Sequence, residues 1–242
     1  MIFFYVRHGD PVYHPDSLTP KGEREAEAIG KRLAMYGVDE IYTSTSNRAI
    51  LTAKPTCELL HKTHTELEFC HESLAYKEFS GESNGVRRWV CELEEYKNLF
   101  VSPEIRKMDK EWYEHPALAS TGVKAGWKRI SDAADEFFAS LGYEHIREEN
   151  RYRVVEGTDE NKRVALFAHE GFGLIFLSAL LDIPYPMIST HFHIRTTGLT
   201  AIEFKHESGF SVPKVFTHSN DAHLYKEGLP LGRNYYKGNI IF

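Results

Sequence analysis

Five apolar, β-prone residues, Ile2 to Val6, open the chain and run without alternation into Arg7, His8 and Gly9. A short unbroken apolar run predicts a strand buried on both faces, as in a parallel sheet. Polar residues follow until Thr19 and Pro20, a good N-cap ahead of the residue best tolerated at the first helical position. Ala26, Ile29, Leu33 and Ala34 then recur at helical spacing, and Gly37 ends the helix. Glu40 to Thr43 reads as a short strand, and the polar turn Ser44-Thr45-Ser46-Asn47 opens a second helix with Arg48 in its first turn. Pro55 is expected to kink that helix, because it lacks an N–H for the carbonyl of Leu51.

Farther along, Glu66 to Phe69 predicts a strand and Leu74 to Gly85 a polar loop punctuated by glycine. Val123, Trp127, Ile130, Ala134, Phe137, Phe138 and Leu141 share one helical face, which predicts a long helix from about Gly122 to Leu141. Two β-rich runs, Tyr152 to Val155 and Arg163 to Ala168, flank the polar turn Gly157 to Asn161 and are expected to pair as a hairpin. Gly171 to Leu181 reads as a buried helix stopped by Pro184 and Pro186, with strands at Thr197 to Phe204 and Val212 to Phe216 after it. This order predicts an α/β fold: a mostly parallel sheet with helices on both faces. One domain is expected over residues 1–242, with a mainly helical insertion at about 86–150 over the site.

Composition changes this picture little but excludes some functions. The formal charge of −6 argues against a nucleic-acid partner, which needs a basic field to neutralise phosphates. Cys57, Cys70 and Cys91 form no C-x-x-C pair and are odd in number, so reduced thiols and a cytoplasmic location are expected. The most hydrophobic long window, residues 164–181, is interrupted by His169, Glu170 and two glycines, so it reads as strand, loop and helix rather than a membrane span.

The chemistry gathers at the strand ends. In open α/β sheets ligands bind outside the carboxyl ends of strands, where Arg7 and His8 fall, and Gly9, without a Cβ, can take a positive φ and let the backbone turn away while a small anion comes close. Arg48 falls where free backbone N–H groups and the helix dipole already favour an anion, and its guanidinium adds a two-pronged donor for phosphate oxygens. His191-Phe192-His193 has no carboxylate spaced to complete a metal site, so no metal is expected.

Arg7-His8-Gly9 after a first strand resembles the hallmark of the histidine phosphatase superfamily, which includes the phosphoglycerate mutases and many acid phosphatases. Three further stretches match in order: Leu18-Thr19-Pro20-Lys21-Gly22 with Ala26 and Leu33; Ser44 to Ala49 with Thr52-Ala53; and Ala165 to Gly171, which would deliver the second histidine, His169. The resemblance covers roughly residues 1 to 85 and 160 to 225. Asn220 to Leu224 is similar to the family's closing motif, with His223 read as structural.

The resemblance implies a phosphate monoester hydrolase of the histidine acid phosphatase type. His8 would be the nucleophile carrying a phosphohistidine, with Arg7, Arg48, His8 and His169 around the phosphoryl group and no cofactor. The family commonly keeps its proton-donating glutamate four residues before the first glycine of the loop. Lys77 stands there, so Glu78, one place later, is the expected acid, with Glu82 and Glu170 as alternatives. The family's Gly-Glu-Ser motif is replaced by Ala119-Ser120-Thr121, away from the mutase pattern. A mutase-like phosphotransferase and a catalytically weak phosphate-binding protein are the alternatives. The expected partner is a small phosphorylated substrate, which Arg87, Arg88, Arg106, Lys107 and Lys110 would meet at its distal groups, with no membrane partner; oligomeric state is left open.

Overall fold

The computed structural model describes residues 1–230. Six strands form the central sheet: β1 (Ile2–Arg7), β2 (Glu40–Ser44), β3 (His64–Leu67), β4 (Arg163–Ala168), β5 (Leu199–Glu203) and β6 (Lys214–Asn220), in spatial order β6-β5-β1-β4-β2-β3. β1, β4, β2 and β3 run parallel, whereas β5 and β6 pair antiparallel at one edge. The sheet is therefore mixed and mostly parallel, as the sequence pattern implies.

Alternation within the buried strands sends side chains into two cores. Phe4 and Val6 of β1 with Ala165 and Phe167 of β4 face Ile29, Leu33 and Ala53, from helices α1 (Pro20–Tyr36) and α2 (Asn47–Leu60). Phe3 and Tyr5 with Val164, Leu166 and Ala168 join the opposite core. There Phe3 meets Phe138 edge-on, with ring centroids 5.2 Å apart, and Tyr5 stacks on Phe176. Burying one such aromatic contributes on the order of 2 kcal/mol, so both helical layers are held by the same two strands.

Local signals act as read at α1: the Thr19 side chain accepts from Gly22 N–H, and Gly37 closes the helix at φ 75°. At α2 the helix continues across Pro55. A Cβ on Gly30 of α1 would lie 2.8 Å from Pro55 Cβ, so the proline sits at the closest approach of the two helices.

The expected hairpin of Tyr152–Val155 with Arg163–Ala168 does not form. Arg151–Val154 instead pairs antiparallel with Tyr143–Ile146 in a small separate sheet, and Arg163–Ala168 enters the main sheet beside β1. The physical reason is burial: residues 164–168 are buried on both faces and need helices above and below, whereas Arg151–Val154 alternates and suits a half-exposed ribbon. The strand expected at Glu66–Phe69 lies at His64–Leu67, and that at Val212–Phe216 lies at Lys214–Asn220.

Within residues 72–118 the chain forms α3 (Glu72–Glu78), a ribbon of Ser80–Ser83 with Val86–Trp89, then α4 (Glu94–Phe100), α5 (Pro103–Met108) and short 3₁₀ turns. Phe100 and Trp112 of this region pack on Tyr185. The long helix α6 (Val123–Ser140) packs on the sheet face through Phe137 and Phe138, next to α7 (Glu170–Leu181). After α8 (Tyr185–His191) and the two edge strands, α9 (Ala222–Lys226) packs on α1. No helix among the described residues is long and apolar enough to cross a membrane.

Candidate active site

Three neighbouring strands end at one place. β1 delivers Arg7 and His8, β4 delivers His169 ahead of α7, and β2 leads through Ser44 to Arg48 in the first turn of α2. The register holds them together: Arg7 pairs with Ala168, and His8 N–H donates to Ala168 O at 2.9 Å. The rings of His8 and His169 sit 5.2 Å apart, edge to face.

His8 is buried, and its Nδ1 lies 2.7 Å from the carbonyl of Gly9. A carbonyl only accepts, so Nδ1 carries the proton and Nε2 keeps its lone pair. Burial, then the charge of Arg7, lowers the His8 pKa to about 3, so the ring is neutral at physiological pH. Gly9 does not use the positive φ open to a glycine. Its missing Cβ instead admits the next helix: a Cβ there would lie 2.6 Å from Gly22 O.

His169 is buried and held on all sides. Tyr5 Oη donates to its carbonyl at 2.6 Å, its Nε2 is 2.8 Å from Ser44 Oγ, and Arg48 Nη2 donates to its Nδ1 at 3.1 Å. With Nδ1 accepting, Nε2 bears the hydrogen. Burial and the neighbouring His8 and Arg48 push its pKa well down.

Carboxylates hold both arginines in place. Arg7 Nη1 donates to Glu170 Oε2 and to Ile194 O, each at 2.6 Å. Burial alone would raise the Glu170 pKa, but its hydrogen bond with His193 and the charge of Arg7 hold it down. Arg48 Nη1 donates to Asp16 Oδ1 at 2.8 Å, and Nη2 to Glu72 Oε2 at 3.3 Å. The buried Nε of Arg7 and that of Arg48 have no hydrogen-bond partner among the described residues.

The carboxylate at the centre is Glu72, which the sequence reading passed over. Its Oε2 is 3.5 Å from His169 Nδ1, and its Oε1 accepts from Gly171 N–H at 3.0 Å. Burial raises its pKa against the pull of Arg48 and Arg7. Glu78, the acid expected from the loop, is forked instead by Arg129, Nε to Oε1 at 2.8 Å and Nη2 to Oε2 at 2.5 Å. Glu82 is exposed on the ribbon, and Glu170 is committed to Arg7. The only sequence signal for Glu72 is its place: it opens α3, one 3₁₀ turn (Glu68–Cys70) past the end of β3, on the side of the sheet where ligands bind.

His8, Glu72 and His169 each offer one ligand atom within 4.8 Å of the others, a spacing that could hold a metal. Arg48 donates to two of the three, so a cation there would face a guanidinium. His193 is bound to Glu170 rather than to a metal set with His191. Trp89 approaches the site: a Cβ on Gly171 would lie 2.2 Å from its ring. Lys110 bonds the carbonyl of Arg147 and lines a separate groove of about 800 Å³, together with Trp112 and Asp182 at the far end of α7.

Residues 3–82 match the family model described as Histidine phosphatase superfamily (branch 1). No curated protein matches the chain. Among solved structures, phosphoserine phosphatase from Entamoeba histolytica, in complex with 3-phosphoglyceric acid, aligns over 92% of this chain and 98% of its own, with 16% identity and a TM-score of 0.57. Mycobacterial glucosyl-3-phosphoglycerate phosphatase with inorganic phosphate covers the same shares at 18% identity and a TM-score of 0.58. YhfR from Bacillus stearothermophilus, also over 92% and 98%, has 19% identity and a TM-score of 0.57. These likenesses establish the shared fold. Arg7, His8 and Arg48 all lie inside the matched segment, so it is in residues 3–82 that the chain is similar to the histidine phosphatase superfamily.

Proposed function

We propose that this protein hydrolyses phosphate monoesters through a phosphohistidine on His8. The observation that carries the reading is the pair of buried, unpartnered guanidinium Nε donors of Arg7 and Arg48 beside a histidine whose Nε2 lone pair is free. Buried donors without partners cost about 1–3 kcal/mol each, a cost that an oxyanion between them removes. Solved structures of the same fold include phosphatases described with 3-phosphoglyceric acid and with inorganic phosphate, which supports the same kind of ligand here.

In the first half-reaction Nε2 of His8 attacks phosphorus and the ester P–O bond breaks. The leaving oxygen takes the proton of neutral Glu72, and the Nδ1–H bond to Gly9 O holds the ring in the reactive tautomer. In the second, Glu72 takes a proton from water as its oxygen attacks phosphorus. The P–N bond breaks and His8 is restored. His169 stays neutral, its Nε2 donating to Ser44 Oγ and its Nδ1 accepting from Arg48 Nη2, and so holds that guanidinium for the phosphoryl oxygens. Glu72 thus takes the role that the loop pattern suggested for Glu78.

Phosphate release from p-nitrophenyl phosphate and from alkyl phosphates tests this, together with trapping of an acid-labile phosphoenzyme. His8→Ala should abolish both signals. Turnover retained in His8→Ala overturns the assignment.

A further inference from the structure

Three carboxylates stand around the two arginines. Glu170 holds Arg7, Glu72 shares Arg48 with His169, and Asp16 holds the remaining arm of Arg48. Asp16 comes from outside the strand ends, on the short ribbon of Pro11–Tyr13 with Asp16–Leu18. It is fastened there: Ser46 Oγ donates to its Oδ2 at 2.8 Å, and Asn47 Nδ2 donates to its backbone carbonyl at 2.7 Å. Its side chain remains 32% exposed, so one side of the carboxylate faces solvent beside the nucleophile. Tyr13 of the same ribbon is exposed and lies over the Arg48 guanidinium, 5.5 Å from its ring centroid.

Each arginine therefore has a full negative charge in contact before any substrate arrives. Arg7 and Arg48 still offer their Nε donors to one phosphoryl group, but their charge is already compensated. A second anionic group on the substrate would meet Asp16 at the mouth, where like charges repel. An ammonium or hydroxyl there would find an acceptor.

Resting on the phosphatase reading, we propose that Asp16 sets substrate selectivity by charge. Phosphate monoesters whose alcohol portion is cationic or neutral are preferred over those that carry a second anion near the ester.

Phosphate release from three esters of similar length tests this: O-phosphoethanolamine with an ammonium, propyl phosphate without charge, and phosphoglycolate with a carboxylate. In the wild type kcat/KM should fall in that order, by about tenfold or more from first to last, each factor of ten being about 1.4 kcal/mol. Asp16→Asn should flatten the series, and Asp16→Glu should keep it. A merely structural role would lower all three rates together. A flat wild-type series, or one unchanged in Asp16→Asn, overturns the proposal. Should Asp16→Asn fail to fold, Asp16→Ser is measured in its place. p-Nitrophenyl phosphate separates the two readings: its hydrolysis with a flat series removes only the role of Asp16, whereas no release from any of the four esters removes the phosphatase reading as well.

Discussion

Glu72 Oε2 lies 3.5 Å from His169 Nδ1, and the same arm of Arg48 contacts both groups. A carboxyl in that position, with its pKa raised by burial, is suited to hold a proton and release it to a departing oxygen.

Glu72→Gln should therefore lower alkyl phosphate hydrolysis by about 10²- to 10⁴-fold, the usual contribution of a general acid, and spare p-nitrophenyl phosphate, whose leaving group needs no proton. Glu78→Gln should act on stability instead. Losing one partner of a half-exposed fork with Arg129 costs about 1 kcal/mol, or about 2–4 °C in Tm for a chain of this size. Steady-state kinetics on both esters and thermal melts separate the two residues, and a leaving-group-dependent loss in Glu78→Gln would reverse them.

Because the acid must be protonated before turnover, kcat/KM for an alkyl phosphate should fall as pH rises through the raised pKa of Glu72. His8, lowered to about 3, should set no limit near neutrality. A pH–rate profile in which Glu72→Gln loses the alkaline decline supports this; a decline that persists assigns it to another group.

The buried histidines also predict acid sensitivity. His8 and His169 have folded-state pKa values below the unfolded value of about 6.5, so below that pH the unfolded chain binds protons that the folded chain refuses. Their contribution to stability is present above about pH 6.5 and is lost as pH falls through their lowered folded-state values, which for His8 is about 3. His145 acts in the opposite sense. Burial works against its charge, but Asp135 and Asp182, each 2.8 Å away, raise its pKa, so its contribution is present below about 6.5 and fades as pH rises past the raised value. His145→Gln should cost about 3 kcal/mol near pH 6 and less at higher pH, as measured by urea unfolding.

Vanadate or inorganic phosphate should raise Tm, by about 2.7 kcal/mol of stability at a hundredfold excess over Kd, and Arg48→Ala should remove most of the effect. Activity should survive chelators. Loss in EDTA that a divalent ion restores would point instead to the His8, Glu72 and His169 set as a metal site.

Much of the arrangement was legible because its signals are local. The unbroken apolar run before Arg7-His8-Gly9, the Thr19-Pro20 start of α1 and the strand leading to His169 each state their own geometry within a few residues. Glu72 was not, because its contact with His169 is made across the chain and nothing within α3 distinguishes it from a solvated first-turn carboxylate. The false hairpin has a related cause: pairing partners depend on what covers each face, which local pattern reports only indirectly. Asn84-Gly85, both at positive φ, turns a hairpin between Ser80–Ser83 and Val86–Trp89, where the glycine-rich context predicts a loop.

The parallel seating of Ile2–Arg7 against Arg163–Ala168 bears on when the site comes into being. Arg48 and His169 touch across 121 positions of chain, and Tyr5 and His169 across 164. Contacts of such separation are costly to close and form slowly. Residues 3–82 hold His8 and both arginines but not the strand that completes the pocket, so a nascent or truncated chain holds the motif without the pocket. During refolding, oxyanion binding should appear only with the last cooperative step, making a bound phosphate a reporter of the finished fold.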